Sequence, residues 1–311
     1  MFLSIVLLLV GFVILVKGAD FLIDGASSLA KKLSISEIAI GLTVVAFGTS
    51  APELIVNIFA SVGGYHEITF GNILGSNIFN ILMALGVAGV ITSISVQRNT
   101  VLKEIPFLLV ATLLAFGLTL WNRDLSMTDG IILLIFLVLF FIYVFGILHA
   151  APPQASTIKE YSDLVTFAMM ILGMIGLFFG GKFVVNNAVK IAEYFNVSQK
   201  LISLTIVAFG TSLPELVTSV LAVIKGRNDL AIGNVVGSNL FNTLLVLGVS
   251  SVISPIPYIL VLNVDFIFLC AITLILFLTM FVGKKHKLSR LEAIFFILLY
   301  SGYLIFIISR K

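Results

Sequence analysis

Long apolar segments follow one another along almost the whole chain, and this feature most restricts its fold. Each is long enough to cross a bilayer, which takes roughly 20 apolar residues in a helix. Of the 311 residues, 60% are hydrophobic and only 11% are charged, against about a quarter charged in an average soluble domain. The bilayer core contains no water to hydrogen-bond the backbone, so a segment that spans it must be a helix or a strand of a closed barrel. Continuous rather than alternating hydrophobicity predicts helices, and therefore an all-α polytopic membrane protein.

Breaks at charged and Gly/Pro-rich stretches divide the chain into ten predicted membrane spans. The first five are residues 2–29, 36–62, 69–92, 101–121 and 128–149; the second five are 163–192, 198–224, 231–253, 258–282 and 288–309. A short polar linker, residues 150–162, separates the two sets. The first segment is too long for a signal peptide and has no small-residue cleavage pattern, so we interpret it as a membrane helix.

The second half of the chain repeats the first at an offset of 162 residues. VAFGTSAPEL (45–54) aligns with VAFGTSLPEL (207–216), and GNILGSNIFNILMALGV (71–87) aligns with GNVVGSNLFNTLLVLGV (233–249). Because five helices is an odd number, the second copy enters the membrane from the opposite side, as in many secondary transporters. We therefore predict two inverted five-helix repeats, residues 1–149 and 163–311, with residues 150–162 as a cytoplasmic linker.

Basic residues are unevenly distributed between the two sides that this topology defines. With the N-terminus outside, the cytoplasmic loops hold Lys31, Lys32, Arg98, Lys103, Lys159, Lys225, Arg227, Lys284, Lys285, Lys287 and Arg290. The outer side holds Arg123, Lys190, Lys200, Arg310 and Lys311. Because Lys and Arg accumulate on the cytoplasmic side of membrane proteins, both termini are predicted to lie outside.

Glu53 and Glu215 are the two carboxylates placed deep inside predicted spans, whereas most of the other acidic residues are at helix ends or in loops. An ionisable group within the bilayer is costly and usually faces a cavity or an ion path. Each glutamate follows a proline, Pro52 or Pro214, which cannot donate a hydrogen bond to the carbonyl four residues earlier. A packing kink would explain the prolines alone. It would not explain Thr-Ser before each proline and Glu after it.

The loosened backbone is expected to turn carbonyl oxygens toward the interior of the bundle. They belong to Ala46, Phe47, Thr49, Ala208, Phe209 and Thr211. The adjoining helices carry polar stripes with a spacing of four residues: Asn72, Ser76 and Asn80, repeated as Asn234, Ser238 and Asn242. Small-xxx-small faces at Gly71, Gly75, Gly233 and Gly237 allow close helix approach. Bonding between helices is an alternative role for the stripes.

These groups together form a predicted site made only of oxygen atoms. Such a site suits hard cations such as Ca²⁺ and Na⁺, whereas zinc or copper would favour nitrogen or sulfur. The three histidines are at loops or helix ends, and the single cysteine, Cys270, lies in an apolar span. Two negative charges match one Ca²⁺ or two Na⁺, so both ions can compete for one site. Nothing in the sequence is typical of nucleic-acid binding.

At these motifs the sequence resembles the Na⁺/Ca²⁺ exchanger branch of the cation/Ca²⁺ antiporter superfamily. GTSAPE with GSNIFN, and GTSLPE with GSNLFN, are similar to the two α-repeats of that family, and the resemblance covers essentially the whole chain. It implies Ca²⁺ export driven by Na⁺ entry, with both ions bound as substrates between the second, third, seventh and eighth helices. The long first and sixth helices would slide across that core. It further implies a prokaryotic plasma-membrane protein, functional as a monomer among lipids, without a cofactor or catalytic residues.

The resemblance also implies which residues bind the ions. Glu53 and Glu215 would be the central ligands, bridging Ca²⁺ and Na⁺. The other implied ligands are the backbone oxygens of Ala46, Thr49, Ala208 and Thr211, the hydroxyls of Ser50, Ser76, Ser212 and Ser238, and the amides of Asn80 and Asn242. K⁺-dependent members of the family have Asp at the position of Asn242, so its amide argues against K⁺ cotransport. Residues 150–162 are too short for the regulatory Ca²⁺-sensor domain of animal exchangers.

Other functions stay open at this point. A buried glutamate can take up a proton, so an H⁺/Ca²⁺ antiporter of the same architecture is the main alternative. A cation channel is a second. An intramembrane enzyme is a third, although the chain lacks an HExxH motif and a buried histidine. Lys17, Asp20 and Asp24 are expected to form a local ion pair on the first helix, and Asp265 is expected near the outer end of the ninth.

Overall fold

The computed structural model describes residues 1–147, 158–196, 208–258, 260–282 and 285–309. Helices account for most of these residues, and we number them in chain order. The first half contains α1 (Phe2–Lys32), α2 (Glu37–Thr49), α3 (Ala51–Val62), α4 (His66–Phe79, continuing through Asn80–Ala84 to Leu85–Ile91), α5 (Thr100–Glu104 and Ile105–Asn122) and α6 (Met127–Ile147). The second half contains α7 (Asp163–Tyr194), α8 (Ala208–Gly210), α9 (Leu213–Ile224), α10 (Asn228–Leu240, continuing through Phe241–Val246 to Leu247–Ile253), α11 (Asn263–Thr279, after a 3₁₀ turn at Leu260–Leu262) and α12 (Arg290–Ser309).

These helices confirm the predicted all-α polytopic fold. Among the described residues, eight helices are long and apolar enough to cross a membrane, and α2 with α3 forms a ninth span that bends by 48°. The seventh predicted span, residues 198–224, is described only from Ala208 onward, as α8 and α9. The predicted linker, residues 150–162, falls largely outside the described residues. The division into domains at this linker stays a prediction.

The sequence repeat is also a repeat of backbone conformation. Ser34 and Asn196 have φ values of 53° and 56°, and Gly64 and Gly226 both have 74°. Each pair is separated by the repeat offset of 162 residues. A positive φ is uncommon for residues other than glycine, so its recurrence at Ser34 and Asn196, which differ in residue type, shows that the turns of the two halves are alike. Both α4 and α10 also contain a π-helical turn, at Asn80–Ala84 and Phe241–Val246.

Two short antiparallel ribbons join loops of one half to loops of the other. β1 (Ile94–Ser95) pairs with β4 (Lys287–Leu288), and β2 (Asp124–Leu125) pairs with β3 (Ile256–Pro257). The predicted topology places β1 and β4 on one side of the membrane and β2 and β3 on the other. Two strands can pair only if they lie next to each other, and therefore on the same side of the membrane. The ribbons therefore agree with inversion of the second repeat.

The two longest helices, α1 and α7, pack with their backbones in contact. A Cβ atom added to Gly18 would lie 2.6 Å from the backbone nitrogen of Leu177, and one added to Gly173 would lie 2.6 Å from that of Leu22. Small residues allow such close approach where apolar surroundings provide no hydrophobic driving force. These are the helices for which the family resemblance implies sliding across the core.

Glycines also set the contact between α10 and α2. A Cβ atom on Gly233 would lie 2.8 Å from the carbonyl oxygen of Ile38, and one on Gly237 would lie 2.6 Å from Cβ of Ala46. This confirms the predicted small-residue face in the second half. Gly71 and Gly75 make no such contact with any described residue. Residues 203–207, which align with the α2 segment at Gly41, lie outside the described chain.

Candidate cation-binding site

The predicted glutamates stand beside a break in each half of the core. Ser50 separates α2 from α3 and has φ −85° and ψ 3°; Ser212 precedes α9 with φ −90° and ψ 4°. Pro52 and Pro214 follow in the first turn of the next helix, where a missing N–H costs no helical hydrogen bond. Each break thus places a glutamate in the first turn of a new helix. The chain breaks at the serine rather than at the preceding glycine.

The position of the break changes one part of the prediction. The carbonyl oxygen of Ala46 is not freed, because it accepts hydrogen bonds from the backbone N–H of Ser50 (2.9 Å) and from Oγ1 of Thr49 (3.2 Å). The helix continues to Thr49, so the carbonyl of Ala46 keeps its helical partner, whereas the carbonyl of Gly48 has none in the helix because Pro52 lacks an N–H. The side chain of the equivalent residue in the second half, Ala208, lies outside the described atoms.

Glu53 and Glu215 are both fully buried, and each accepts a hydrogen bond from a serine hydroxyl of the opposite half. Oε1 of Glu53 accepts from Oγ of Ser212 (3.3 Å) and from Oγ of Ser76 (3.4 Å). Oε1 of Glu215 accepts from Oγ of Ser50 (3.1 Å). The two breaks therefore meet at the centre of the molecule. Residues that are separated by 159 and 165 positions in the chain are thereby in direct contact.

The polar stripes of α4 and α10 face the two breaks, as predicted. Oγ1 of Thr49 donates to Oδ1 of Asn234 (3.0 Å) and lies 3.1 Å from Oγ of Ser238. Oγ1 of Thr211 donates to Oδ1 of Asn72 (3.2 Å). These bonds connect each break to the stripe of the other half. Bonding between helices, the alternative role for the stripes, thus accounts for Asn72 and Asn234.

Among the predicted ligand side chains, four oxygen atoms are left without a donor. Oε2 of Glu53, Oε2 of Glu215, Oδ1 of Asn80 and Oδ1 of Asn242 are buried and accept no hydrogen bond from any described residue. The two amides direct their N–H groups elsewhere: Asn80 donates to Oδ1 of Asn239 (3.0 Å), and Asn242 donates to Oδ1 of Asn77 (3.1 Å). A buried acceptor without a partner costs about 1–3 kcal/mol. A cation among these four oxygens would supply what each of them lacks.

The charge of the centre also calls for a cation. Within the described residues, no group of three or more His, Cys, Asp and Glu side chains could hold a metal ion, and the side chains that donate to the two carboxylates are the hydroxyls of Ser50, Ser76 and Ser212. Two carboxylates taken out of water are unfavourable unless opposite charge compensates them. Asn77 and Asn239, which sequence reasoning did not single out, contact this centre as well. The sequence does contain a signal for them, because an asparagine occurs at the same place in both GSN motifs.

A cavity of about 300 Å³ reaches this region between α3, α7 and α9. Its walls include Pro52, Ile55, Lys182, Thr211 and Pro214. A lysine in the middle of an apolar helix favours water rather than lipid as its surroundings. The cavity lies beside Thr211 and both prolines, and each proline directly precedes one of the two buried glutamates.

An ion-pair cluster ties α1 to the C-terminal end of α9. Nζ of Lys225 lies 2.5 Å from Oδ1 of Asp20 and 2.5 Å from Oδ1 of Asp24. The predicted local pair with Lys17 is therefore wrong, because Lys225 approaches both carboxylates from a distant part of the chain and Lys17 is exposed. Asp265 is in the first turn of α11, as expected, and accepts a hydrogen bond from the hydroxyl of Tyr303 (2.8 Å).

The fold is that of a membrane transporter built from two inverted halves around a polar centre. A model of the sodium/calcium exchanger protein family matches residues 3–146 and 165–309. The chain therefore belongs to the sodium/calcium exchanger family, as its motifs indicate. It is accordingly a cation/Ca²⁺ antiporter by family, and a transporter rather than an enzyme.

Individual relatives agree with this assignment. A putative antiporter, CaxA of Alkalimonas amylolytica, is 37% identical over 97% of this chain and 98% of its own. The sodium/calcium exchanger MaX1 of Methanosarcina acetivorans is 29% identical over 97% of both chains. The solved structure of the sodium-calcium exchanger NCX_Mj, soaked with Na⁺ and Ca²⁺, has a TM-score of 0.83 and 32% identity, covering 99% of each chain. This likeness confirms the ten-helix inverted-repeat fold.

Proposed function

We propose that the protein exchanges Na⁺ for Ca²⁺ across the membrane by alternating access, so that Na⁺ entry drives Ca²⁺ export. The observation that carries this proposal is the set of four buried oxygens without a donor, on Glu53, Glu215, Asn80 and Asn242. Two of the four belong to carboxylates. Their combined charge is balanced by one Ca²⁺ or by two Na⁺, so binding of one ion species excludes the other.

We propose further ligands besides these four oxygens. Ca²⁺ takes about 6–8 oxygen ligands, and three hydroxyls, of Ser50, Ser76 and Ser212, already hydrogen-bond to the two carboxylates. Under this proposal, hydroxyls and carbonyls of both breaks complete the number. They are the hydroxyls of Ser50, Ser76, Ser212 and Ser238 and the backbone oxygens of Ala46, Thr49, Ala208 and Thr211. The carbonyl of Ala46 already accepts hydrogen bonds, so it contributes least to binding in this conformation.

The cavity and the ion-pair cluster lie toward opposite ends of the bundle. α3 and α9 run in opposite directions because the repeats are inverted. The cavity adjoins the first two turns of α3 and the second half of α7, where Lys182, Val185 and Asn186 line it, whereas Lys225 follows the end of α9. In this conformation the cavity approaches the buried site from one side, while Lys225 holds α1 against the core at the other side. Sliding of α1 with α7 would exchange the two arrangements. We place the protein as a monomer in the prokaryotic plasma membrane, among lipids, with both termini outside.

The relatives support Na⁺ coupling to different degrees. MaX1 and NCX_Mj are both named as sodium/calcium exchangers, whereas CaxA is named only as a putative antiporter. An H⁺/Ca²⁺ antiporter is therefore the second candidate. It is favoured by one observation: Oε2 of each buried glutamate has no described donor and could carry a proton. The absence of a carboxylate at Asn242 favours Na⁺.

Uptake of ⁴⁵Ca²⁺ into liposomes that contain the purified protein tests the proposal. Liposomes loaded with Na⁺ are diluted into Na⁺-free buffer, and a second set carries a pH gradient without Na⁺. Both are repeated with Glu53→Gln and Glu215→Gln, which keep shape and remove charge. Glu104→Gln is the matched control, because Glu104 is equally buried but lies on α5, where the hydroxyl of Tyr143 donates to it.

Uptake under the Na⁺ gradient, lost in both site variants and kept in Glu104→Gln, is the expected result. Uptake under the pH gradient alone would replace Na⁺ by H⁺ as the coupling ion. Uptake that follows only the Ca²⁺ gradient would indicate a channel and contradict the proposal.

A further inference from the structure

A second pair of asparagines lies directly behind the two central ones. Asn77 on α4 and Asn239 on α10 are buried and are separated by the repeat offset of 162 residues. Nδ2 of Asn239 donates to the backbone oxygen of Asn77 (3.1 Å). Nδ2 of Asn77 donates to Oγ1 of Thr243 (2.9 Å) and, at 3.5 Å, to the backbone oxygen of Asn239. Each amide is thus anchored to the backbone of the opposite repeat.

These backbone contacts decide which way each amide points. The oxygen and nitrogen of an asparagine amide have nearly the same shape, so only its hydrogen-bond partners set its orientation. A backbone carbonyl can accept but never donate. The amide nitrogen of Asn239 must therefore face the carbonyl of Asn77, and its oxygen faces the other way, toward Asn80. By the same argument the oxygen of Asn77 faces Asn242.

The anchored pair in turn orients the central pair. Because Oδ1 of Asn239 can only accept, Asn80 has to present its N–H₂ group to it (3.0 Å). Asn242 presents its N–H₂ group to Oδ1 of Asn77 (3.1 Å) in the same way. The remaining group of each central amide is its oxygen, and both oxygens are among the four without a described donor.

We propose that Asn77 and Asn239 are positioning residues that hold the amide oxygens, and not the N–H₂ groups, of Asn242 and Asn80 toward the transported cation. This inference rests on the proposed cation site. A reversed amide would replace a ligand by two N–H groups whose partial positive charge repels the ion. The pair also links the two repeats, because each of the two amides donates to the backbone oxygen of the other residue.

A double-mutant cycle on Ca²⁺ binding tests the inference. Binding of ⁴⁵Ca²⁺ to the purified protein is measured for Asn80→Ala, for Asn239→Ala and for the double variant. Loss of a residue that orients a metal ligand typically lowers affinity about 10–100-fold, and we expect about tenfold for Asn239→Ala. If Asn239 acts only through Asn80, the double variant binds no more weakly than Asn80→Ala alone, which is the signature of coupled sites.

Two reference variants distinguish the loss of an oriented amide ligand from a general disturbance of the fold. Asn187→Ala on α7 also removes a buried amide, one that donates to the carbonyl of Phe183 (2.7 Å), and should keep full Ca²⁺ affinity. Glu53→Gln should abolish binding. If it does not, the proposed site fails irrespective of the asparagines.

The outcomes for Asn239 then divide clearly. Non-additive losses in the cycle, with Asn187→Ala unaffected, support the positioning role. Additive losses, or unchanged affinity in Asn239→Ala, overturn it even when Glu53→Gln has lost binding. Asn77→Ala with Asn242→Ala provides the equivalent cycle for the other repeat, and the same result is expected there.

Discussion

Replacing Lys225 by methionine should shift the balance between the two access states. In the structure its ammonium group bridges Asp20 and Asp24 of α1, at 2.5 Å from each. The aligned positions of the other repeat cannot form the same bridge, because Gly63 stands in place of Lys225 and Lys182 in place of Asp20. The ion pairs therefore stabilise only the state that contains the cavity. Methionine keeps the length of the side chain and removes the charge.

The size of the effect follows from the exposure of the cluster. The side chains of Lys225, Asp20 and Asp24 are 26%, 33% and 35% exposed, so solvent screens their attraction. Exposed ion pairs contribute about 0.2–1 kcal/mol each, which for two pairs amounts to about 1 kcal/mol. A difference of this size corresponds to a ratio of roughly five between the states.

Distances between two spin labels measure that ratio. The labels are attached to cysteines at Val62 and Tyr194, both exposed at the ends of the helices that wall the cavity, in a Cys270→Ser background. We expect two distances, with the population of the cavity-containing state reduced about fivefold relative to the other by Lys225→Met. Lys17→Met, which removes an exposed charge from α1, should leave the ratio unchanged. An unchanged distribution in Lys225→Met, or an equal shift in Lys17→Met, would refute the reasoning.

Two further substitutions test the packing of the helices and a buried ion pair. Gly173→Ala should lower the free energy of unfolding by about 1–3 kcal/mol, because its new Cβ meets the backbone of α1 at 2.6 Å; thermal unfolding of the purified protein should show no such loss for Gly117→Ala, whose Cβ meets no described atom within 4 Å. Arg227→Met should cost about 3 kcal/mol, because it leaves the buried carboxylate of Glu37 without the guanidinium 3.4 Å away. Adding Glu37→Gln to Arg227→Met should recover part of that loss in the same measurement, and failure to recover any would contradict the pairing.

Most of the fold could be predicted because the spans differ so much from the loops in hydropathy. The first helix was expected at residues 2–29 and ends at Lys32; the fifth was expected from residue 128 and begins at Met127. The repeat and its odd number of helices predicted inversion, and the bilayer made two buried glutamates stand out. These inferences needed only local composition and one alignment of the chain with itself.

Contacts between distant residues could not be predicted in this way. Lys17 lies three residues from Asp20, so sequence spacing favoured a local pair, whereas Lys225 becomes available only when α9 packs beside α1. Asn77 and Asn239 were missed for a related reason. They stand one residue away from the regular polar stripes, and their role depends on a contact between the repeats that no spacing within one helix reveals.

Competition between the two ions at the central oxygens tests the account most directly. Purified protein is equilibrated with ⁴⁵Ca²⁺, and Na⁺ is added at constant ionic strength. The account predicts that Na⁺ displaces all bound Ca²⁺ with a Hill coefficient above 1, since more than one Na⁺ is needed to balance Glu53 and Glu215. Ca²⁺ that stays bound at saturating Na⁺, or is displaced only by a fall in pH, would contradict a shared Na⁺ and Ca²⁺ site.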